Sequence, residues 1–405
     1  MDLSRILAQL THPSADVQLE GVSGARKVGP AIPPQHPDRP ALLRRLGELA
    51  AYHGFGERPV ERAVPPPVLV PANGTLELPA AAASHGTLAA AFAGSGSELV
   101  AVAGAGELVR WDLATRAVVR VAASAVPLTM AALAPALDRV ALRGPSGPVR
   151  VCDASNAAAI SNVGDGSAFT ALAWAPCGRR LATGTSGGDV AVWDAGSGRC
   201  LATWWGHPAP VQALAFEPGG QLLASGGADG RVILWTAETG KRALRIAEPG
   251  DHPLGIGPAT RAGSPRALAF TGGGAYLVAG LTGGGLLLWD RESGHRLWTP
   301  PAHAAPIRAV RIAHGGLSLV SAGQDGALAL WDALTGEPLA LLTGHASGAH
   351  ALAAAPDGAR VASGGPEPHI LLWDLPPRGH ELNDPACRRA VALYAHRALE
   401  RLAPS

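Results

Sequence analysis

The sequence predicts an all-β fold in which one unit of four short strands is repeated seven times around a closed ring. The first observation is a marker residue at intervals of 41, 41, 42, 54, 42 and 42: Trp111, Cys152, Trp193, Trp235, Trp289, Trp331 and Trp373. The second is another marker that stands 19 residues before each of these: Phe92, Leu133, Trp174, Phe216, Phe270, Ile312 and Ala354. Two markers that keep the same spacing through the chain indicate an internal repeat.

The third observation is the pattern inside each unit. Apolar and small or polar residues alternate with period two, as in RVILW at 231–235 and DVAVWD at 189–194, and such alternation predicts β-strands. Glycine-rich turns separate the runs, which leaves four short strands per unit. This is the pattern of a propeller blade, whose faces are buried when blades stack around an axis.

Trp111, Trp193, Trp289, Trp331 and Trp373 are each followed by Asp, and a Gly-His pair occurs at Gly206-His207 and Gly344-His345. With these pairs the repeats resemble those of the WD-repeat β-propeller family over about residues 66–376. Cys152-Asp153 and Trp235-Thr236 depart from the pattern. The resemblance implies a seven-bladed closed β-propeller, and the sequence adds a small α-helical N-terminal unit and a C-terminal helix on either side of it.

The last repeat ends at two prolines, Pro376 and Pro377, which cannot continue a strand ladder. The outer strand of the last blade must therefore come from elsewhere. We expect Thr75–Leu78, just before the first repeat, to supply this strand, with Val68–Val70 as the alternative donor.

Two blades contain a set of polar residues with identical spacings of 18, 4 and 6. The resemblance implies that each set forms a buried hydrogen-bonded relay from carboxylate to imidazole to hydroxyl to indole. A serine, a histidine and an aspartate also suggest a hydrolase triad, but the recurrence of the set and the lack of a G-x-S-x-G elbow favour the structural role. The two sets are His207, Ser225, Asp229 and Trp235 in blade four, and His303, Ser321, Asp325 and Trp331 in blade six.

The other blades depart from this set. Blade seven has Glu367 in the acidic place, and blade three has Asp165 in the histidine place, Thr183 in the serine place and Gly187 in the acidic place. Blade two, with Cys152, is the weakest match. Blades one, two and five are expected to depend on apolar packing.

The sequence predicts four regions. Residues 1–60 form a HEAT-like helical unit or a generic helical hairpin, with an apolar stripe at Leu42, Leu46 and Leu49. Residues 61–73 form a proline-rich linker, residues 74–376 the propeller, and residues 377–405 a helix that packs on this chain or on a partner.

Composition excludes several classes of function. There are 33 Lys and Arg against 32 Asp and Glu, a net charge of +1, so nothing favours nucleic-acid binding. No apolar run reaches the roughly 20 residues of a membrane span. The four cysteines form no CxxC pair, and we expect reduced, mostly buried thiols in a cytoplasmic protein. The Ala- and Gly-rich usage is typical of a GC-rich bacterium.

No cofactor, metal or nucleotide motif is present. We therefore expect a non-catalytic scaffold or adaptor that binds protein partners as a monomeric ring in a larger complex. A sensor or regulatory subunit that controls a separate effector is the alternative. An enzyme with its site in the central channel is less favoured, because inner strands such as ALAWAP, ALAFEP and ALAAAP are small and apolar.

Two tryptophans stand at outward places on fourth strands. Trp205 and Trp298 are candidates for partner binding, while Leu201 and Leu297 should face inward. The terminal helices could instead cover both rings. The extended loop between blades four and five, with Asp251, His252 and Arg261, could complete the partner surface.

Overall fold

A computed structural model describes Leu42 and residues 68–79, 86–123, 127–166, 168–247, 263–271, 273–291, 294, 296–298, 302–333 and 336–376. The chain divides into two compact units. The larger comprises residues 67–331 and 338–375. The smaller comprises residues 1–66, 332–337 and 376–405, in which Leu42 is helical and its side chain fully buried.

The larger unit contains seven sheets, one for each predicted repeat. Within each repeat, antiparallel neighbouring strands are joined by short turns, and the first strand of the repeat is innermost. The first three blades consist of β3 (Thr87–Phe92), β4 (Glu98–Ala103), β5 (Glu107–Asp112) and β6 (Val118–Ala123); β7 (Met130–Leu133), β8 (Arg139–Arg143), β9 (Val149–Asp153) and β10 (Ala159–Val163); and β11 (Phe169–Trp174), β12 (Arg180–Thr185), β13 (Asp189–Asp194) and β14 (Cys200–Trp205).

The remaining four blades repeat this order. They consist of β15 (Val211–Phe216), β16 (Leu222–Gly227), β17 (Val232–Thr236) and β18 (Arg242–Ala247); β19 (Pro265–Phe270), β20 (Tyr276–Leu281), β21 (Leu286–Asp290) and β22 (Arg296–Trp298); β23 (Ile307–Ala313), β24 (Ser318–Gly323), β25 (Leu328–Asp332) and β26 (Pro338–Thr343); and β27 (Ala351–Ala354), β28 (Arg360–Gly364) and β29 (His369–Asp374). A short 3-10 helix, His314–Gly316, joins β23 to β24.

The inner strands contact one another in a complete cycle. β3 contacts β7, and each further inner strand contacts the next, in the order β11, β15, β19, β23 and β27, until β27 contacts β3 again. The sheets therefore form a closed ring of seven blades, so the predicted seven-bladed β-propeller is confirmed.

The ring closes through a strand from before the first repeat, as predicted. Strand β2, Gly74–Glu77, pairs antiparallel with β29, with Thr75 opposite Leu371 and Leu76 opposite Ile370. This pairing supplies the outer strand that the prolines after Trp373 prevent the last repeat from making itself. The N-terminal segment thus hydrogen-bonds to the edge that blade seven would otherwise expose.

The alternative closing segment has another position. Val68–Pro71 forms β1, which pairs parallel with β26 as a fifth strand of blade six. The expectation that residues 61–73 are only a linker was therefore wrong for residues 68–71. Sequence reasoning considered Val68–Val70 as a strand only for blade seven and did not foresee its pairing with blade six, where an edge strand tolerates proline.

The core lies between successive blades. The marker tryptophans on third strands are buried except Trp193, which is partly buried, and Trp111 and Trp373 are at most 1% exposed. Small alanines from inner strands, such as Ala171 and Ala213, lie beside large side chains of the next sheet. Small inner and large outer residues suit blades that taper toward the axis.

Two expectations about peripheral features have different outcomes. Cys152 is buried, but Cys177 and Cys200 are exposed, so the expectation of mostly buried thiols was wrong for the described cysteines. The predicted helices beyond Leu42, and the tail at 377–405, lie outside the described residues. No helix among the described residues has the length and hydrophobicity to cross a membrane.

Candidate functional site

The four residues of the blade-four relay are hydrogen-bonded in one chain. His207 Nδ1 lies 3.0 Å from Asp229 Oδ1, and His207 Nε2 lies 2.8 Å from Ser225 Oγ. The indole Nε1 of Trp235 donates to the same hydroxyl at 2.8 Å. His207 and Ser225 have no exposed surface. Each buried polar atom thus has a partner, and no substrate can reach the hydroxyl.

Two glycines make room for this relay. A Cβ at Gly227 would lie 2.3 Å from Asp229 Oδ1 and 2.4 Å from His207 Nδ1. Gly188 has a φ of +91°, and a Cβ there would lie 1.8 Å from the carbonyl oxygen of His207. The Ser-Gly-Gly turns of the sequence therefore hold the imidazole and carboxylate in contact.

Blade six repeats the arrangement with slightly more solvent. His303 Nδ1 lies 3.1 Å from Asp325 Oδ1, His303 Nε2 lies 2.7 Å from Ser321 Oγ, and Trp331 Nε1 donates to Ser321 at 2.9 Å. Burial lowers the pKa of both His207 and His303, and the neighbouring carboxylates only partly oppose this effect. Neutral imidazoles are therefore the favoured form inside the folded ring.

Blade seven has a different arrangement. The Glu367 carboxylate hydrogen-bonds to His345 Nδ1, and His345 Nε2 lies 2.5 Å from Ser363 Oγ. The buried indole Nε1 of Trp373, unlike those of blades four and six, has no hydrogen-bond partner among the described residues. A second imidazole, His369, lies with its Nε2 3.7 Å from Glu367 Oε2.

Blade three lacks the histidine, and a cleft lies there. Trp193 Nε1 still donates to Thr183 Oγ1 at 2.9 Å. The side chains of Asp165, Thr185 and Asp189 line a cleft of about 390 Å³ beside this pair. Thr185 stands where blades four and six have Gly227 and Gly323, so a histidine could not approach in the same way.

Cations gather where the inner strands of blades five to seven begin. Arg266 and Arg308 each occupy the extra residue of a β-bulge, and His350 directly precedes β27. Bulges re-aim side chains. Burial and the charge of Arg266 lower the pKa of Arg308. Burial, and then the charge of Arg308, lower the pKa of His350. These three side chains therefore lie within electrostatic reach of one another.

Arg311 also stands on an inner strand, in the middle of β23. The Nη1 of Arg311 donates to the carbonyl oxygen of Val310 at 2.9 Å. The inner strand of blade six, IRAVRIA, contains two arginines, so the expectation of small apolar inner strands does not extend to that blade. The phrases from which we inferred it came from other blades.

Large apolar side chains are exposed on the outer strands of blades one to three. We call this set the rim residues, and among the described side chains they are Val118, Val119, Ile160, Leu201 and Trp205. Trp205 is the most exposed at 61%. The outward place expected for Trp205 thus agrees with the structure.

Leu201 does not face inward, contrary to expectation, and is 42% exposed. The pairing of β13 with β14 shifts between Val192 and Trp193, which leaves Leu201 as the extra residue between Ala202 and Cys200. A bulge breaks the alternation on which the expectation depended. Trp204, two residues after Ala202, is half-buried and packs 5.6 Å from the Trp235 ring.

The other partner-binding candidates cannot be placed. Trp298 belongs to β22, but its side chain and that of Leu297 lie outside the described part of the chain. Asp251, His252 and Arg261 also lie outside it. Sequence reasoning did not single out His369, Arg266, Arg308 or Arg311, although a charged or imidazole side chain where other repeats have small residues was a usable signal.

Comparison with protein families agrees with the geometry. The family model described as WD domain, G-beta repeat matches residues 161–194, 198–236, 294–332 and 336–374. The matches end at the third strands of blades three, four, six and seven, and the structure contains seven such blades.

The chain contains WD repeats at four places, and its described strands form a seven-bladed β-propeller. The repeats that the family model does not match are those of blades one, two and five, which lack the polar relay. A search of curated proteins found no match to this WD-repeat protein.

Proposed function

We propose that this WD-repeat protein is a non-catalytic interaction scaffold whose protein partner binds the rim residues, with Trp205 as the central contact. Propellers built from WD repeats, the repeats matched here at four places, typically serve as scaffolds for protein interactions. The observation that carries the proposal is the 61% exposure of Trp205 in a chain with only 10 tryptophans and 5 phenylalanines.

The fold does not use the side chain of Trp205 as a core residue. Trp204, its neighbour, already packs against the core between blades three and four. Trp205 pairs with Asp189 at the edge of the sheet and leaves its ring in solvent. Tryptophan is enriched at the centres of interfaces because it buries a large area at low entropic cost.

The neighbouring outer strands support the same surface. Val118 and Val119 on β6, Ile160 on β10 and Leu201 on β14 add exposed apolar area on three successive blades. Isolated exposed apolar residues are common, but among the described side chains they lie in one part of the ring, which favours an interface.

The proposal that the ring is non-catalytic rests on the relays. Their hydroxyls at Ser225 and Ser321 have no exposed surface, and each accepts a hydrogen bond from a tryptophan. A nucleophile needs access to a substrate carbonyl, and these hydroxyls lack it.

The test compares proteins co-purified from the native host by wild type, by Trp205→Ala and by Thr203→Ala. Thr203 is exposed on the same strand and serves as the matched control. We expect Trp205→Ala to have the melting temperature of wild type, because the indole of Trp205 is exposed. The same variant should lose a partner that Thr203→Ala retains. If both variants keep the wild-type set of partners in equal amounts, the partner surface lies elsewhere.

A further inference from the structure

Blade seven brings together three side chains with metal-binding atoms. His345, Glu367 and His369 each offer one such atom, and the three atoms lie within 4.8 Å of one another. The Oε2 atom of Glu367 faces His345 Nδ1 on one side and His369 Nε2 on the other. Two imidazoles and one carboxylate form a donor set suited to a divalent transition metal.

The second oxygen of Glu367 is already occupied. Its Oε1 accepts hydrogen bonds from the backbone N–H groups of Ala346 and Ser347, at 2.6 and 3.0 Å. The carboxylate is thus held in place with Oε2 directed at the two histidines. Outer contacts of this kind orient the ligands of metal sites.

The hydroxyl of Ser363 can support His345 as a ligand. In blades four and six the equivalent hydroxyl accepts from a tryptophan Nε1–H, but Trp373 does not contact Ser363 in this way. Ser363 Oγ is therefore free to accept a hydrogen bond from His345 Nε2–H. When a metal ion replaces the proton that Nδ1 shares with Glu367, the Nε2–H tautomer directs the lone pair of His345 Nδ1 toward Glu367 and His369.

We propose that His345 Nδ1, Glu367 Oε2 and His369 Nε2 form a binding site for a divalent transition metal ion such as Zn²⁺. Zinc bonds of roughly 2.0–2.2 Å place ligand atoms about 3.3–3.6 Å apart in a tetrahedron. The contact between His345 and Glu367 must open to accept the ion, and the two imidazoles must draw closer. The side chain of His369, 27% exposed, gives the ion access from solvent and can rotate toward it.

The bound ion would connect three segments of blade seven. His345 precedes β27, Glu367 lies in the turn after β28, and His369 begins β29. Strand β29 also pairs with β2, so the site lies on the blade that closes the ring. Metal binding is therefore expected to stabilise the ring where the N-terminal strand completes it.

The experiment uses the full chain, stripped with chelator and alkylated so that the exposed thiols of Cys177 and Cys200 cannot bind zinc. Titration calorimetry with ZnCl₂ and the visible absorption of added Co²⁺ report binding. We expect one zinc per chain at micromolar concentrations. At 100-fold excess over Kd, the melting temperature should rise by roughly 5 °C.

Three variants distinguish this site from others. His369→Ala should weaken zinc binding at least 10-fold and abolish the rise in melting temperature, while His350→Ala, which removes another exposed imidazole of the same region, should change neither. Glu367→Asp restores the acidic residue of blades four and six and should keep its bond to His345, but it withdraws the carboxylate from His369 and should also weaken binding at least 10-fold.

Equal zinc affinity in wild type and His369→Ala would overturn the proposal, as would a wild-type chain that takes up no zinc at 100-fold molar excess. If Glu367→Asp does not fold, His369→Ala still decides the question, because that side chain is partly exposed and outside the relay.

Discussion

The substitution Asp229→Ala tests whether the blade-four relay stabilises the ring. The Asp229 carboxylate accepts from His207 Nδ1 at 3.0 Å and from the backbone N–H of Arg231 at 3.1 Å. Its removal leaves a fully buried imidazole N–H without a partner, which costs about 1–3 kcal/mol, and loses a turn hydrogen bond of about 1 kcal/mol. We expect a loss of roughly 3 kcal/mol, or about 5 °C in melting temperature for a domain of this size.

Urea unfolding followed by tryptophan fluorescence measures this loss. Asp229→Asn is the matched variant, because its amide oxygen can still accept from His207, so its loss should be about half as large. Asp138→Ala removes an exposed carboxylate and should change stability by no more than about 0.5 kcal/mol. The reasoning fails if Asp229→Ala and Asp138→Ala unfold at the same urea concentration.

Two further predictions concern ring closure and pH. Leu76 is 1% exposed on β2, so Leu76→Asp should reduce the free energy of unfolding by about 4 kcal/mol or more and expose β29. Thr75→Asp, on the outward side of the same strand, should leave the chain monomeric. Size-exclusion chromatography and thermal melting compare the two variants, and equal behaviour would mean that β2 does not close the ring. Burial lowers the pKa of His207 and His303 below the ordinary 6.5, so the unfolded chain binds more protons below that pH and stability should fall as pH drops from 7 toward 5. Urea midpoints across this range measure the slope, which should be smaller in a variant that carries His207→Gln and His303→Gln; an unchanged slope would assign the pH dependence to other groups.

The sequence alone was sufficient to predict the architecture, because the same spacing of marker residues recurs in each of the seven repeats. The marker at Trp235 and its equivalents fixed the third strand of every blade, and the spacing of 19 residues fixed the first. The prolines after Trp373 also showed that the last blade needs an outside strand. The two four-residue relays followed from their identical spacings, and the observed distances agree with the order that the family resemblance implied.

Local departures from the repeat required the tertiary structure. A single bulged residue turned Leu201 outward, and period-two reasoning has no means of placing a bulge. Val68–Pro71 pairs with β26, a segment about 270 residues later in the chain, and local sequence contains no information on that pairing. The same limit applies to blade seven. His345, Glu367 and His369 are brought together by a loop, a turn and a strand, so their spacing in the sequence shows the place of each one but not the distance between their ligand atoms.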